Sequence, residues 1–262
     1  MTHCNNIKEF SKSVYDFLTR VFSYNLNFSE LGITDHLVFS IVQNSHLNRL
    51  QNVEIYKMPW PIESVYGNDL DLFIEDSSGN FNYYALQAKV MSPNGAFMDI
   101  KFKKTSVQQW NKLLQHEADF GSKTYYLLYC GQSRRPPSAN PTREDCIGIP
   151  TLKEYGTSIV ETHVIREIRE VQLTTYANLY FRNVFPDHVD SLRKLFCCVD
   201  DLPKSYRQFK REEISTDGYQ KIYSRESTNE DYPEDNTEDY PEKYIVKEGS
   251  ASVRIIISLS EE

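Results

Sequence analysis

No apolar stretch in this 262-residue chain approaches the roughly 20 residues a membrane-spanning helix requires. The longest, YYLLYC at 125–130 and VRIIISL at 253–259, fall far short. The amino-terminal MTHCNNIKEFSKS has neither the apolar core of a secretory signal nor the Arg-rich, acid-poor character of a transit peptide, so cytoplasmic residence and no membrane partner are expected. Cysteine is sparse and unpatterned: Cys4, Cys130, Cys146, Cys197 and Cys198 form no CxxC pair and no zinc spacing, and an odd count argues against a full disulfide set. Reduced, mostly buried thiols are expected. The six histidines make neither HExxH nor an HNH-like cluster. The GSKT at 121–124 lacks the Gly-Lys adjacency of a P-loop, and GxSxG and GxGxxG are missing, so ATPase, serine-hydrolase and dinucleotide chemistry have no support.

With 40% hydrophobic and 25% charged residues, the chain has the composition of a globular protein with a sizeable core. Its net charge of −8 is unevenly placed. Residues 1–210 carry 23 basic and 23 acidic side chains, and residues 211–262 carry 6 and 14, so the acidity says nothing against the body approaching a polyanion. The organisation expected is a body over 1–210 and an extension over 211–262. Within the extension, EDYPE occurs at 230–234 and again at 238–242 in an acidic, Pro-containing stretch read as a linker. A second reading has the 226–242 tract mimicking DNA in a basic groove. The following SVRIIISLS is a strand expected to return to the body, because so apolar a β-former invites edge pairing if left free.

Ile7, Phe10, Val14, Phe17, Leu18, Val21 and Phe22 fall at helical spacing, and a second helix is expected from a cap at Thr34 or Asp35, burying Leu37, Val38, Ile41, Val42 and Leu47. From 52 the texture is β: VEIYKM, then a hairpin over 64–90 turning at DSSGN. Val107, Trp110, Leu113 and Leu114 predict a helix stopping at Gly121, TYYLLYC a buried strand, and CIGIP a short one. The spacing of Ile159, Val164, Ile165, Ile168 and Val171 predicts a helix over 158–172, with strand left open by its β-branched residues. Alternating helices and strands indicate an α/β fold.

The segment richest in chemistry is 63–89. Side chains alternate along a strand, so Asp69 and Asp71 share one face and Gln87 and Lys89 share one face of the next strand. One pairing register makes these faces coincide. Burying such a group as plain core costs several kcal/mol unless it is paired, whereas carboxylate and amide oxygens suit Mg2+ and a nearby ammonium suits a phosphate or its attacking water. The alternative from spacing alone is a solvated hairpin face with an ordinary Asp–Lys pair.

At these residues the sequence resembles the PD-(D/E)xK phosphodiesterases, the restriction-endonuclease-like superfamily. Asp69 in GND matches the first acid, Gln87 and Lys89 match the (D/E/Q)-x-K element, and Glu63 is similar to an additional preceding acid. Glu30 resembles a metal-associated glutamate on an early helix, and Gln109 a supporting helical glutamine. The resemblance covers about residues 25–150 and implies an αβββαβ core with a mixed central sheet flanked by helices. It also implies Mg2+, with Mn2+ as substitute, held by Asp69, Gln87, Asp71 and Glu30, and catalysis by Asp69, Gln87, Lys89 and Glu63. The substrate implied is DNA, with RNA left open, and the context antiviral defence, with a homo-oligomer or a defence-complex protein as further partner. Lys101, Lys103, Lys104, Arg134 and Arg135 are candidate phosphate contacts. Gln87 in place of an acid removes a charge from the metal site, which keeps open a non-catalytic nucleic-acid-binding or protein-interaction module on the same fold.

Overall fold

The computed structural model describes residues 3–48, 52–58, 66–98, 100, 107–145, 148–172, 178–224 and 251–258. Helix α1 (His3–Ser23) buries Ile7, Phe10, Val14, Leu18 and Phe22 of the stripe read from the sequence, while Val21 is partly buried and Phe17, at the margin of the stripe, is exposed. Helix α2 (Glu30–Asn48) packs on α1, with the Asn6 amide donating to the Ser40 carbonyl at 3.0 Å. It starts a full turn before the expected cap. Thr34 lies within the helix, its hydroxyl bonded to Glu30 O at 2.9 Å and to the Tyr129 hydroxyl at 2.8 Å, while a first-turn Glu30 complements the helix dipole. Leu47 is exposed rather than buried, since it falls off the face defined by Leu37 and Ile41.

Strand β1 (Asn52–Lys57) precedes the hairpin of β2 (Leu70–Glu75) and β3 (Phe81–Val90). The DSSGN turn is organised by Asp76, whose carboxylate accepts hydrogen bonds from Ser78 N and Asn80 N and sits 3.0 Å from Lys204 Nζ. After the short strand β4 (Ala96–Phe97), helix α3 (Gln109–Phe120) stops at Gly121, whose φ of 69° is the left-handed cap expected of it. Val107 lies before the helix and is exposed. Strand β5 (Lys123–Tyr129) is buried throughout.

The 158–172 stretch divides. Its β-branched first part forms β6 (Thr157–Glu161), antiparallel to β5, and only then does helix α4 (Thr162–Glu167) begin, widening to a π turn through Gln172. Ile159 and Val160 are buried by sheet pairing, and Val171 is exposed. Of the CIGIP strand, Gly148 makes only an isolated bridge with Asp145, and residues 146 and 147 lie outside the described residues. Strands β7 (Leu179–Tyr180) and β8 (Asp190–Ser191), helix α5 (Lys194–Cys197) and strands β9 (Gln208–Phe209) and β10 (Gln220–Ser224) follow. Cys4, Cys130, Cys197 and Cys198 are free thiols, as expected, and Cys146 lies outside the described residues.

The final strand β11 (Val253–Ser258) returns to the body as the sequence suggests, and it enters the middle of the sheet. The order is β10-β1-β11-β2-β3-β5-β6-β8, with β9 added beside β3. The sheet is mixed: β11 runs parallel to β2 and β3 parallel to β5, while the other pairs are antiparallel. Val253, Ile255 and Ile257 join the main core with Leu70, Leu72, Leu86 and the apolar faces of α1 and α2, and Ile256 joins a smaller aromatic cluster with Tyr56, Phe73 and Tyr83. Burial of these four side chains contributes about 6–12 kcal/mol gross, comparable to the whole stability of a typical domain. No helix among the described residues is long and apolar enough to cross a membrane.

Candidate active site

Strand register assembles the site. Leu70 lies opposite Leu86 and Asp71 opposite Ala85, so one further step places Asp69 beside Gln87, the coincidence of faces the motif requires. Asp69 stands just before the strand, its amide donating to Leu86 O at 2.8 Å. Its carboxylate oxygen Oδ2 accepts from the backbone N–H of Ala88 at 2.8 Å and from the Gln87 amide. The Gln87 Nε2 also lies 3.2 Å from the Ala88 carbonyl, and its Oε1 accepts from Gln109 Nε2 at 2.7 Å, where α3 begins. Gly67, at φ 77°, lies over this amide pair. A Cβ there would sit 3.4 Å from Gln87 Oε1 on a backbone that side chains rarely tolerate. Lys89, buried at the end of β3, directs its Nζ to Glu30 Oε1 at 3.6 Å, and α2 thereby joins the cluster.

The electrostatics are unusual for an aspartate. Burial lifts Asp69 to a pKa of about 6 and the Glu30 charge adds to the rise; Lys89, the Ala88 N–H and the Gln87 amide oppose it without cancelling it. Its charge is only partly compensated by the groups around it.

Glu30, Asp69, Gln87, Lys89 and Gln109 therefore come together. Asp71 does not join them. It is fully buried and its oxygens are taken by Arg254 Nη2 at 2.7 Å, the Tyr83 hydroxyl at 2.9 Å, Asn68 Nδ2 at 2.8 Å and Ala251 N at 3.3 Å. Its carboxylate locks β11 to β2 and is not open to a metal. Arg254 and Asn68 escaped the sequence reading, although an arginine inside VRIIIS signals a buried partner, because a lone interior charge is costly. Glu63 and Lys101, Lys103 and Lys104 lie outside the described residues. Arg134 and Arg135 occupy the exposed loop after β5, bonded to Asn25 Oδ1 and the Tyr180 hydroxyl, each at 3.3 Å.

Among the described residues no three His, Cys, Asp or Glu side chains gather closely enough to hold a metal alone. Hard oxygen donors are nevertheless present: the Asp69 carboxylate, the Ala88 carbonyl and, after a half-turn of its amide, Gln87 Oε1. Gln87 now presents Nε2 to Asp69, so that half-turn must be matched by Gln109, whose own oxygen would then accept from Gln87. One carboxylate with carbonyls and water suits Mg2+, which binds few protein ligands and retains its waters.

A family model described as a family of unknown function (DUF6615) matches residues 3–262. No curated protein and no solved structure matches the chain.

Proposed function

The chain belongs to DUF6615, and for it we propose a metal-dependent nuclease with a restriction-endonuclease-like core, hydrolysing phosphodiester bonds in DNA. The observation that carries this reading is the convergence of Asp69, Gln87 and Lys89 on adjacent strands, with Glu30 against the lysine. Bound Mg2+ would supply Lewis-acid polarisation of the phosphoryl oxygen. Asp69 and the Ala88 carbonyl would hold it, and Gln87 would complete the protein ligands. Glu30 orients the Lys89 side chain, which positions the attacking water and stabilises negative charge on the phosphate as the new P–O bond forms and the old one breaks. Gln109 fixes the Gln87 amide.

The test is cleavage of labelled DNA in Mg2+ or Mn2+, expected to disappear in Lys89→Ala and Asp69→Ala proteins that still fold. Undiminished cleavage in both variants rejects the assignment. A second reading, a nucleic-acid-binding or protein-interaction module without turnover, is favoured by the Gln87 NH2 group facing Asp69. It predicts no thermal shift on adding either metal, together with salt-sensitive DNA binding.

A further inference from the structure

Several arginines are neutralised: Arg143 by Asp190, the buried Arg193 by Asp145 and Glu154, Arg207 by Glu213, Arg211 by Glu54. Arg134, Arg135 and Arg182 are held without being neutralised. Arg135 and Arg182 place their guanidinium carbons 5.6 and 5.1 Å from the Tyr180 ring centroid, Arg135 also donates to the Tyr180 hydroxyl, and Arg134 donates to Asn25. Among the described residues none of the three lies within ion-pair distance of a carboxylate. All three are exposed. We propose that Arg134, Arg135 and Arg182, arranged around Tyr180, form a phosphate-binding platform for a nucleic-acid strand entering or leaving the site.

The fold explains the position. Strands β3 and β5 are parallel, so the turn after Lys89 and the loop carrying Arg134 and Arg135 emerge at the same sheet edge, where open α/β sheets bind ligands. The turn after β3 is tied to the platform by three backbone links: Arg134 N to Pro93 O at 3.0 Å, Phe181 N to Gly95 O at 3.1 Å, and the pairing of Ala96 with Tyr180. On the other side, Arg134 grips Asn25, and Glu30, five residues later, reaches Lys89. Five residues extend at most about 18 Å, so platform and site share one rim. Guanidiniums braced on a ring lose little freedom on binding, and their planar forks match phosphate oxygens. Three such groups strung along an edge suit an extended polyanion better than a single anion. The choice of nucleic acid as that polyanion rests on the nuclease reading.

The experiment measures fluorescence anisotropy of a labelled single strand and a labelled duplex with the full chain in EDTA, across a series of KCl concentrations. Arg135→Gln/Arg182→Gln is expected to weaken binding at least ~10-fold at low salt and to reduce the slope of log K against log salt by about 1.4–1.8, since each phosphate contact contributes about 0.7–0.9. Arg135→Lys/Arg182→Lys should keep the slope and lose part of the affinity. The control pair Arg166→Gln/Lys210→Gln, which removes the same charge from exposed positions at the opposite end of β3 and β5, should change neither affinity nor slope. An unchanged slope in the first pair, an equal loss in the control pair, or equal competition by poly-glutamate would each overturn the platform. Wild-type protein that binds through the platform yet cuts nothing in Mg2+ would remove the nuclease reading and leave the platform standing.

Discussion

Replacing Asp69 by Asn isolates the charge at the centre of the site. The side chain keeps its size and an oxygen to accept from Ala88 N, and only the ionisation is lost. Burial has raised Asp69 from 3.8 to about 6. The native state therefore binds this proton more tightly than the unfolded chain does. Its contribution is fully present below pH 3.8 and is lost as pH rises through about 6. A shift of about two units corresponds to at most about 3 kcal/mol, and solvent screening of a half-buried group brings the expectation to about 1–3 kcal/mol. Asp69→Asn should be more stable than wild type by that amount at pH 8 and no more stable near pH 4. Urea unfolding in EDTA at both pH values reads this directly, and added Mg2+ should stabilise the wild type alone. A variant equally or less stable than wild type at pH 8 would show that the carboxylate is well compensated, and the argument for a cation seat would fall.

Gln87→Glu should set a second carboxylate against Asp69, lowering metal-free stability at pH 8 by about 1–3 kcal/mol while tightening Mg2+ binding, since affinity follows ligand charge. A thermal-shift titration showing weaker Mg2+ binding would contradict the ligand assignment. Arg254→Met leaves Asp71 buried without its cation and should cost about 3–5 kcal/mol, much less in an Asp71→Asn background; strictly additive losses in a double-mutant cycle would mean that the pair is not coupled. Removing residues 251–262 should abolish cooperative unfolding, because it takes away about 6–12 kcal/mol of gross burial. A truncated chain with the wild-type urea midpoint would refute the central placement of β11.

The centre of the candidate site was legible because strand alternation is rigid: once β2 and β3 pair in one register, Asp69, Gln87 and Lys89 must share a face. The same rule could not say that Asp71, on that face too, belongs to Arg254, since that contact spans 183 residues and depends on which strand lies beside β2. The stripe of α1 was read correctly at Ile7, Phe10, Val14, Leu18 and Phe22 because it repeats over about four turns, whereas Phe17 at its margin is exposed. The start of α2 was not, because Thr34 has a cap's chemistry but spends its hydroxyl on Tyr129, a partner distant in sequence. Over 158–172 helical spacing and β-branching disagreed, and pairing with β5 decided for strand in the first four residues. Tyr180 and Arg182 gave no local signal, since their meeting with Arg135 depends on the antiparallel pairing of β7 with β4, about 80 residues earlier in the chain.

The placement of β11 also bears on how the molecule is born. Strands β1 and β2 leave the ribosome early yet never touch; the rung between them is synthesised about 180 positions later. Until then the nascent chain lacks the strand between β1 and β2, and Asp71 lacks its guanidinium, next to the Asp69 cluster. A polypeptide abandoned before Val253 would carry every residue of the Asp69 cluster but no closed sheet to support it, so the cluster is held in place only once synthesis has passed β11.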